Sequence, residues 1–337
     1  MYGNRLNIVL HTDETFAMQA CTMILSVCEN NKSFEDIIFY IIDTGMLDQS
    51  KQKIKNMVEK YNRHTIYIDP SVLINSLNAT GINPYQGINM GVYLKGMLNL
   101  LLPIDVDRFI YIDCDAVVNE SLKELWEIDL EDKAIGLAVD CMNRKIKEGY
   151  GFKGQYYYNT GVLLIDLINW NKRKCDKKYK QYILANKERK FEWADQDLIN
   201  ASLSDDCIKL SARYNWISLY EIYSYKELNK IYGLDASVFY SMEEYEAAKN
   251  KPIIYHFPTV FIGRPWFKNN LLPSNSIYDK YLYSDNNPWN EYQKEDKDYP
   301  RYTNLQRWMY KVLPRQFFVF IQKIASAILS RKITYRK

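Results

Sequence analysis

Histidine is scarce in this chain. His11, His64 and His256 are the three in 337 residues, so any imidazole ligand must come from that short list. Six cysteines are present but none forms a C-x-x-C pair. This argues against a zinc site or a small disulfide scaffold and reads as reduced thiols in a cytosolic protein. G-x-G-x-x-G and G-x-x-x-x-G-K-[ST] are both absent, which excludes a dinucleotide fingerprint and a P-loop. No apolar run reaches the roughly 18 residues of a membrane-spanning helix. The first residues lead into a short strand instead of an apolar signal segment. The net charge is only +3, so there is no global signal for nucleic acid.

What is present is a 47% apolar fraction, enough for one large α/β domain or one domain with an appendage. Leu6–Leu10 reads as a strand that runs through His11, Thr12 and Asp13 into a helix from about Phe16 to Glu29. Ile37–Ile42 is a near-continuous apolar run, as a parallel strand buried on both faces requires. A helix over Asp48–Asn62 and a strand over Thr65–Ile68 follow. This alternation predicts a mainly parallel sheet with right-handed crossovers. Residues 71–90 read as a long loop. Helices are expected over Val92–Leu102, which carries Lys95, from the capping-box pattern Ser121-x-x-Glu124, and over Trp170–Lys190.

The stretch around which the rest is organised is Phe109-Ile-Tyr-Ile-Asp-Cys-Asp115. Four apolar residues predict a buried strand, and two carboxylates one residue apart close it. On extended backbone they would point to the same side, beyond the carboxyl end of a strand, where open α/β sheets bind ligands. Paired oxygen ligands suit Mg²⁺ or Mn²⁺. Asp13 also falls at a strand's carboxyl end, where it could accept from a base N–H or serve as a helix-start acid. Asn159 precedes the apolar run Val162–Ile165, where its amide could bind a sugar hydroxyl or make a turn. Asp195, Gln196 and Asp197 lie in the first turn of a helix, where acids also suit the helix dipole. His256 ends a late strand and precedes Gly263-Arg-Pro-Trp266.

Residues 267–300 are rich in Asn, Pro, Ser, Asp and Tyr and read as an extended linker. In the tail, residues 301–337, Phe317, Phe318, Ile321, Ile324 and Ile328 fall on or near one side, with Arg315, Lys323, Arg331, Lys332, Arg336 and Lys337 as cations. That is the composition of an amphipathic helix on an anionic membrane surface, the alternative being a helix packed on its own domain or on another copy.

These stretches, taken in order, resemble glycosyltransferase family 8, the retaining group that includes bacterial lipooligosaccharide galactosyltransferases and glycogenin. Asn7-Ile-Val-Leu-His-Thr-Asp-Glu14 is similar to the family's opening strand and nucleotide loop, and Phe109 to Val118 to its Asp-x-Asp strand. Tyr157-Tyr-Asn-Thr-Gly161 with Val162–Asp166, Asp195-Gln-Asp197, and His256 with Arg264-Pro-Trp266 complete the likeness over residues 6–266. It implies a GT-A nucleotide-diphospho-sugar transferase fold over residues 1–266, a mainly parallel sheet with flanking helices, followed by the linker and the amphipathic tail. It implies Mn²⁺, with Mg²⁺ as the alternative ion, on Asp113, Asp115 and His256. His11, Thr12, Asp13, Lys95, Asn159 and Arg264 would bind the donor, UDP-glucose or UDP-galactose, and Asp195 and Gln196 would serve the reacting face. The activity implied is retaining hexosyl transfer to a glycan or lipid-linked acceptor in cell-surface polysaccharide or lipopolysaccharide synthesis. The expected location is the cytoplasmic face of the plasma membrane, with no nucleic-acid partner. A UDP-sugar hydrolase, a nucleotidyltransferase or a membrane-surface module that binds nucleotide without turnover are the other readings. The chain departs from the family at Gly87, where relatives carry histidine, and at Arg264, where lysine is usual and the spacing from His256 is longer.

Overall fold

A computed structural model describes residues 4–80, 91–143, 145–147, 152–187, 191, 193–258 and 261–334. The chain opens with β1 (Arg5–Thr12), α1 (Ala17–Asn30), β2 (Asp36–Asp43), α2 (Asp48–Lys60) and β3 (His64–Ile68). Seven further strands follow: β4 (Arg108–Ile112), β5 (Ala116–Val118), β6 (Ile135–Val139), β7 (Tyr158–Asp166), β8 (Cys207–Leu210), β9 (Trp216–Ile217) and β10 (Ile254–His256). Seven strands form one sheet in the order β3-β2-β1-β4-β7-β6-β8, and a small second sheet has the order β5-β10-β9. In the large sheet all strands run one way except β7, which is antiparallel to both β4 and β6. The expected α/β architecture with a mainly parallel sheet is therefore present, and the reversal of β7 has a consequence. It carries the first residues of β7, Tyr158 to Gly161, to the same edge as the carboxyl ends of β1 and β4.

The continuous apolar runs follow from burial on both faces. Along β2, Ile37, Phe39 and Ile41 enter one core while Ile38, Tyr40 and Ile42 enter the other. Along β4, Ile110 and Ile112 alternate with Phe109 and Tyr111 in the same way. Each such side chain contributes about 2 kcal/mol of burial, so neither face tolerates a polar replacement.

Several local expectations differ from the structure. Residues 71–78 form a helix, Ser71–Asn78, and the remainder of the expected loop, with Gly87, lies outside the described residues. The expected helix over 92–102 breaks after Leu94 into tighter 3₁₀ turns over Lys95–Leu100, with Met97 at φ −137° and ψ 20°. Ser121 makes no capping box: its Oγ accepts from the Lys123 N–H two residues on, and Glu124 pairs with Arg213 instead. The helix expected over 170–190 is two helices, Leu167–Arg173 and Cys175–Ala185, parted by Lys174 in a left-handed conformation (φ 56°, ψ 44°).

The stretch 267–300 is more than an extended linker. It contains the helix Asn275–Leu282, whose Tyr278, Tyr281 and Leu282 are fully buried in the main core. Glu221, on the helix Ser218–Ile222, anchors it by accepting from Ser274 N–H (3.0 Å) and Oγ (2.7 Å). The tail forms two helices, Arg301–Val312 and Arg315–Thr334. The second docks on the domain: Arg315 pairs with Glu227 at 2.7 Å, and Phe318 is buried and stacked on Tyr223. Arg315 and Phe318 therefore serve the domain, whereas Phe317, Phe320, Ile324 and Ile328 stay about half exposed on the other side. The side chains of Lys332, Arg336 and Lys337 lie outside the described residues. Among the described residues no helix is long and apolar enough to cross a membrane.

Candidate active site

The carboxylates Asp113 and Asp115 do converge, though not by extended spacing. Asp113 directly follows β4 and Asp115 lies in the turn to β5, where the chain leaves one sheet for the other. β5 pairs with β10, placing Ala116 opposite His256. The Phe257 N–H donates to the Asp115 carbonyl at 2.8 Å and the Asp113 N–H to the Gly161 carbonyl at 2.8 Å, which locks the turn between both sheets. As a result Asp113, Asp115 and His256 each offer a ligand atom, all within 4.8 Å of one another.

The orientation of His256 can be traced from a group that has no choice. The Gly161 N–H must donate, and it does so to Asn159 Oδ1 at 2.9 Å. Asn159 Oδ1 also accepts from Asn215 Nδ2 at 2.7 Å, so Asn215 presents Oδ1 to His256 Nδ1 at 2.9 Å. An amide oxygen only accepts, so Nδ1 carries the proton. Nε2 then faces Asp115 Oδ1 across 3.3 Å. A lone pair and a carboxylate oxygen at that distance need a proton or a cation between them. Two carboxylates and an imidazole so arranged are the donor set of a divalent cation, with the second partner of the histidine supplied by Asn215. Gly161 makes room for the ring: a Cβ there would stand 2.1 Å from His256 Cε1.

A buried cation lies beside this cluster. Lys95 Nζ is 3.2 Å from Asp113 Oδ1 and 2.7 Å from Asp195 Oδ2, and it donates to the Thr160 carbonyl at 2.9 Å. Burial disfavours the charge on Lys95, but Asp113 and Asp195 overcome this and hold its pKa above the ordinary value. Burial pushes the Asp113 carboxyl up, opposed by Lys95 and assisted by repulsion from Asp115. Burial acts the same way on Asp115, but His256 and then Arg264 outweigh it and bring its carboxyl below the usual range. Arg264 sits 3.3 Å from Asp115 Oδ2, its guanidinium against the rings of both Phe16 and Trp266.

The third group is an amide network around Asp140. Its Oδ2 accepts from Asn159 Nδ2 at 2.9 Å and from Gln196 Nε2 at 3.0 Å. Gln196 Oε1 accepts from Thr160 N–H at 3.4 Å, and Thr160 Oγ1 donates to Asp195 Oδ2 at 2.9 Å. Asp195 and Gln196 thus face the first residues of β7 from the first turn of the helix Ala194–Leu203. Asn159 is engaged at both ends of its amide by the protein itself.

At the end of β1, Thr12 is buried, and His11 accepts or donates at Thr44 Oγ1 across 2.9 Å. Burial, then the charge of Lys95, lowers the His11 pKa, and the parallel pairing of β1 with β4 sets this histidine at the same edge as the cluster. The carboxylate of Asp13 accepts from Thr15 N–H at 2.9 Å and Thr15 Oγ1 at 2.5 Å, capping a short 3₁₀ turn. The structure therefore brings the sequence candidates to one sheet edge in two groups, Asp113, Asp115, His256, Lys95, Arg264, Asp195, Asn159 and Gln196 together, with His11, Thr12 and Asp13 beside them.

Sequence reasoning missed Asp140, Asn215, Thr160, Gly161 and Tyr111, whose hydroxyl donates to Asp113 Oδ1 at 2.9 Å. Asp140 carried a usable signal: it follows the apolar run Ile135–Val139 as Asp113 follows Phe109–Ile112. Asn215 carried none, because its role depends on β9 lying parallel to β10.

The family model for glycosyl transferase family 8 matches residues 7–270. General stress protein A of Bacillus subtilis (strain 168) is 24% identical over 283 residues, covering 82% of this chain and 93% of that protein. A lipopolysaccharide 1,2-glucosyltransferase of Escherichia coli is 27% identical over 220 residues, covering 63% of this chain and 62% of that protein. Among solved structures, the galactosyltransferase LgtC in complex with donor and acceptor sugar analogs is similar, with a TM-score of 0.65 and 22% identity over 82% of this chain and 95% of that one. GlyE of Streptococcus pneumoniae TIGR4 has a TM-score of 0.59 and 18% identity over 84% of this chain and 61% of that one. The fold is that of the GT-A glycosyltransferases. With the family model matched over most of its length, the chain belongs to glycosyl transferase family 8.

Proposed function

We propose that this chain is a retaining hexosyltransferase that moves glucose or galactose from a UDP-sugar to a glycan or lipid-linked acceptor. The observation that carries this reading is the convergence of Asp113, Asp115 and His256 with the Lys95–Asp195 pair and Gln196 at one sheet edge. Asp113, Asp115 and His256 would hold Mn²⁺ or Mg²⁺, which when bound supplies Lewis-acid stabilisation of the diphosphate leaving group. Lys95 and Arg264 add fixed positive charge beside the carboxylates, in a buried setting where it acts more strongly than in water. His11, Thr12 and Asp13 line the nucleotide end.

Retention of configuration is compatible with a carboxylate nucleophile in glycosidases. Here Asp195 already accepts from Lys95 and Thr160, and Gln196 is a neutral amide. Gln196 is a poor nucleophile, and the Lys95 ammonium and Thr160 hydroxyl, both on Oδ2, make Asp195 a weaker one. Front-face transfer is the step this chain's residues support: the acceptor oxygen bonds to the anomeric carbon as the carbon–oxygen bond to the diphosphate breaks. The electron pair leaves with UDP, and the hydroxyl proton passes to the departing phosphate oxygen. Asp195 and Gln196 position charge against the oxocarbenium-like centre, and Asn159 acts as a positioning residue through Asn215 and His256.

The half-exposed strip Phe317, Phe320, Ile324 and Ile328, with Lys323 and Arg331 on the same helix, would rest on an anionic membrane surface. Peripheral attachment at the cytoplasmic face fits an acceptor for surface polysaccharide or lipopolysaccharide.

The test is UDP release from a panel of UDP-sugars with Mn²⁺ and with chelator. Metal-dependent release from one sugar, lost in Asp113→Ala and Asp115→Ala, is the expected result. Normal activity in either variant sinks the site assignment, and a sugar trapped covalently on Asp195 sinks the front-face step.

A further inference from the structure

A cavity of about 400 Å³ begins at Asp140, Asn159 and Gln196 and ends against the last two helices. Its outer wall is Gln306, from the helix Arg301–Val312, together with Gln322, Ser326 and Leu329 from the helix Arg315–Thr334. These side chains are organised. Gln306 Nε2 donates to Gln322 Oε1 at 2.8 Å, and Asn143 Nδ2, just past β6, donates to Ser326 Oγ at 2.7 Å. The Arg315–Glu227 pair and the buried Phe318 fix the helix that carries them.

A helix that only rested on a membrane would have no reason to aim an amide and a hydroxyl at the catalytic edge. Amides beside Trp193, Met142 and Leu219, which also line the cavity, make the surface a hexose takes. Its hydroxyls exchange hydrogen bonds with amides while its C–H face packs on apolar and aromatic groups, and the volume lies within the range of small-molecule sites. Leu329 lines the cavity yet is 47% exposed, so the lip of the cavity runs on into the apolar strip of Phe317, Phe320, Ile324 and Ile328.

We infer that the last two helices form the outer wall of the acceptor site, and that the acceptor is a glycoside with an apolar aglycone. The terminal sugar occupies the cavity against Gln306, Gln322 and Ser326, and the aglycone leaves over Leu329. This rests on the transferase reading above and adds to it the class of acceptor and a substrate-binding role for the tail.

The experiment uses the full chain, the UDP-sugar that it hydrolyses, and octyl and methyl β-glycosides of glucose, galactose and lactose as acceptors. The readout is the ratio of transfer to donor hydrolysis, which cancels differences in the amount of intact enzyme. The wild-type enzyme should prefer an octyl glycoside to its methyl counterpart. Ser326→Trp, which fills the cavity, should lower the ratio at least tenfold. Gln322→Ala, a smaller change that decides the matter should Ser326→Trp fail to fold, should raise the acceptor KM several-fold. Leu329→Asp should abolish the preference for octyl over methyl. An unchanged ratio and KM in the Ser326 and Gln322 variants overturns the inference. So does a wild-type enzyme that hydrolyses donor but transfers to none of these glycosides. Absence of any donor turnover in the wild type would instead count against the transferase reading itself.

Discussion

Replacing Gly161 by alanine tests the metal site through steric contact alone, with no charge altered. The added Cβ would lie 2.1 Å from Cε1, 2.5 Å from Nδ1 and 2.9 Å from Nε2 of His256. Ordinary carbon contacts begin at about 3.5 Å, so the ring must retreat by more than about 1 Å. His256 is 4% exposed and tied to Asn215, so that retreat breaks the Nδ1 hydrogen bond as well. Metal–ligand distances tolerate only about 0.2 Å. Loss of an orienting partner alone costs about 10- to 100-fold in metal affinity; displacing the ligand itself should reach at least ~100-fold, or about 2.7 kcal/mol. The clash should also cost about 1–3 kcal/mol of folding stability. Calorimetric Mn²⁺ titration in saturating UDP measures the first quantity and urea unfolding the second. Adding His256→Ala to Gly161→Ala removes the ring that clashes. Stability should then recover relative to the single glycine variant, while metal affinity should not. Wild-type Mn²⁺ affinity in a folded Gly161→Ala protein would refute His256 as a ligand. A double variant no more stable than Gly161→Ala would refute the clash as the cause.

Asn215→Ala should weaken Mn²⁺ binding by about 10- to 100-fold while every proposed ligand is kept; unchanged affinity would show that the Asn159–Asn215–His256 chain does not orient the ring. Lys95→Met leaves the partly exposed Asp113 and Asp195 without their cation, and in chelator should lose about 1–3 kcal/mol in urea unfolding, a gap that Mn²⁺ should narrow; equal stability of variant and wild type in chelator would contradict the pairing. Burial pushes the Glu221 carboxyl from its ordinary value of 4.5 up to about 7, against the hydrogen bonds from Ser274. Between those values the folded state holds a proton that the unfolded state has released, so stability falls as pH rises through that window, by roughly 3 kcal/mol in all. Glu221→Gln should remove that slope, and a variant whose thermal midpoint falls with pH between 5 and 7 as steeply as the wild type would refute the assignment.

What the sequence made legible follows from how local each signal is. The parallel strands declare themselves because burial on both faces demands unbroken apolar runs, and Asp113 and Asp115 stand out because they end such a run. The same rule applied to Asp140 would have found the hub of the amide network. Helix breaks at Lys95 and Lys174 were hidden because both lie within stretches of helical periodicity, and the departure is a backbone conformation that the side-chain pattern does not encode. The buried helix Asn275–Leu282 was masked by its setting in a polar, proline-containing stretch, although Ile277, Tyr278, Tyr281 and Leu282 recur at helical spacing.

The remaining illegible features share one physical origin, the reversal of β7. A strand inserted antiparallel between β4 and β6 presents its beginning where its neighbours present their ends, so Asn159, Thr160 and Gly161 meet Asp140, Asp195 and the Asp113 backbone, 19, 35 and 48 positions away in the chain. Gly161 is needed only because β10 comes to rest against it with a histidine, and Asn215 acts only because β9 is the next strand over. The tail obeys the same logic. Phe317 and Phe318 are equivalent in composition, but the groove that receives Phe318 is made by Tyr223 and Phe261, and the cation that a membrane reading would assign to Arg315 is neutralised by Glu227. A hydrophobic, basic segment can therefore be read from sequence as amphipathic, while the division of its residues between domain, cavity and solvent is fixed by partners far away in the chain, 57 to 95 positions off for Phe261, Glu227 and Tyr223. That division leaves Gln322 and Ser326 facing the catalytic edge and Phe320 and Ile324 facing out, so one helix can touch both the reacting sugar and the surface from which its acceptor comes.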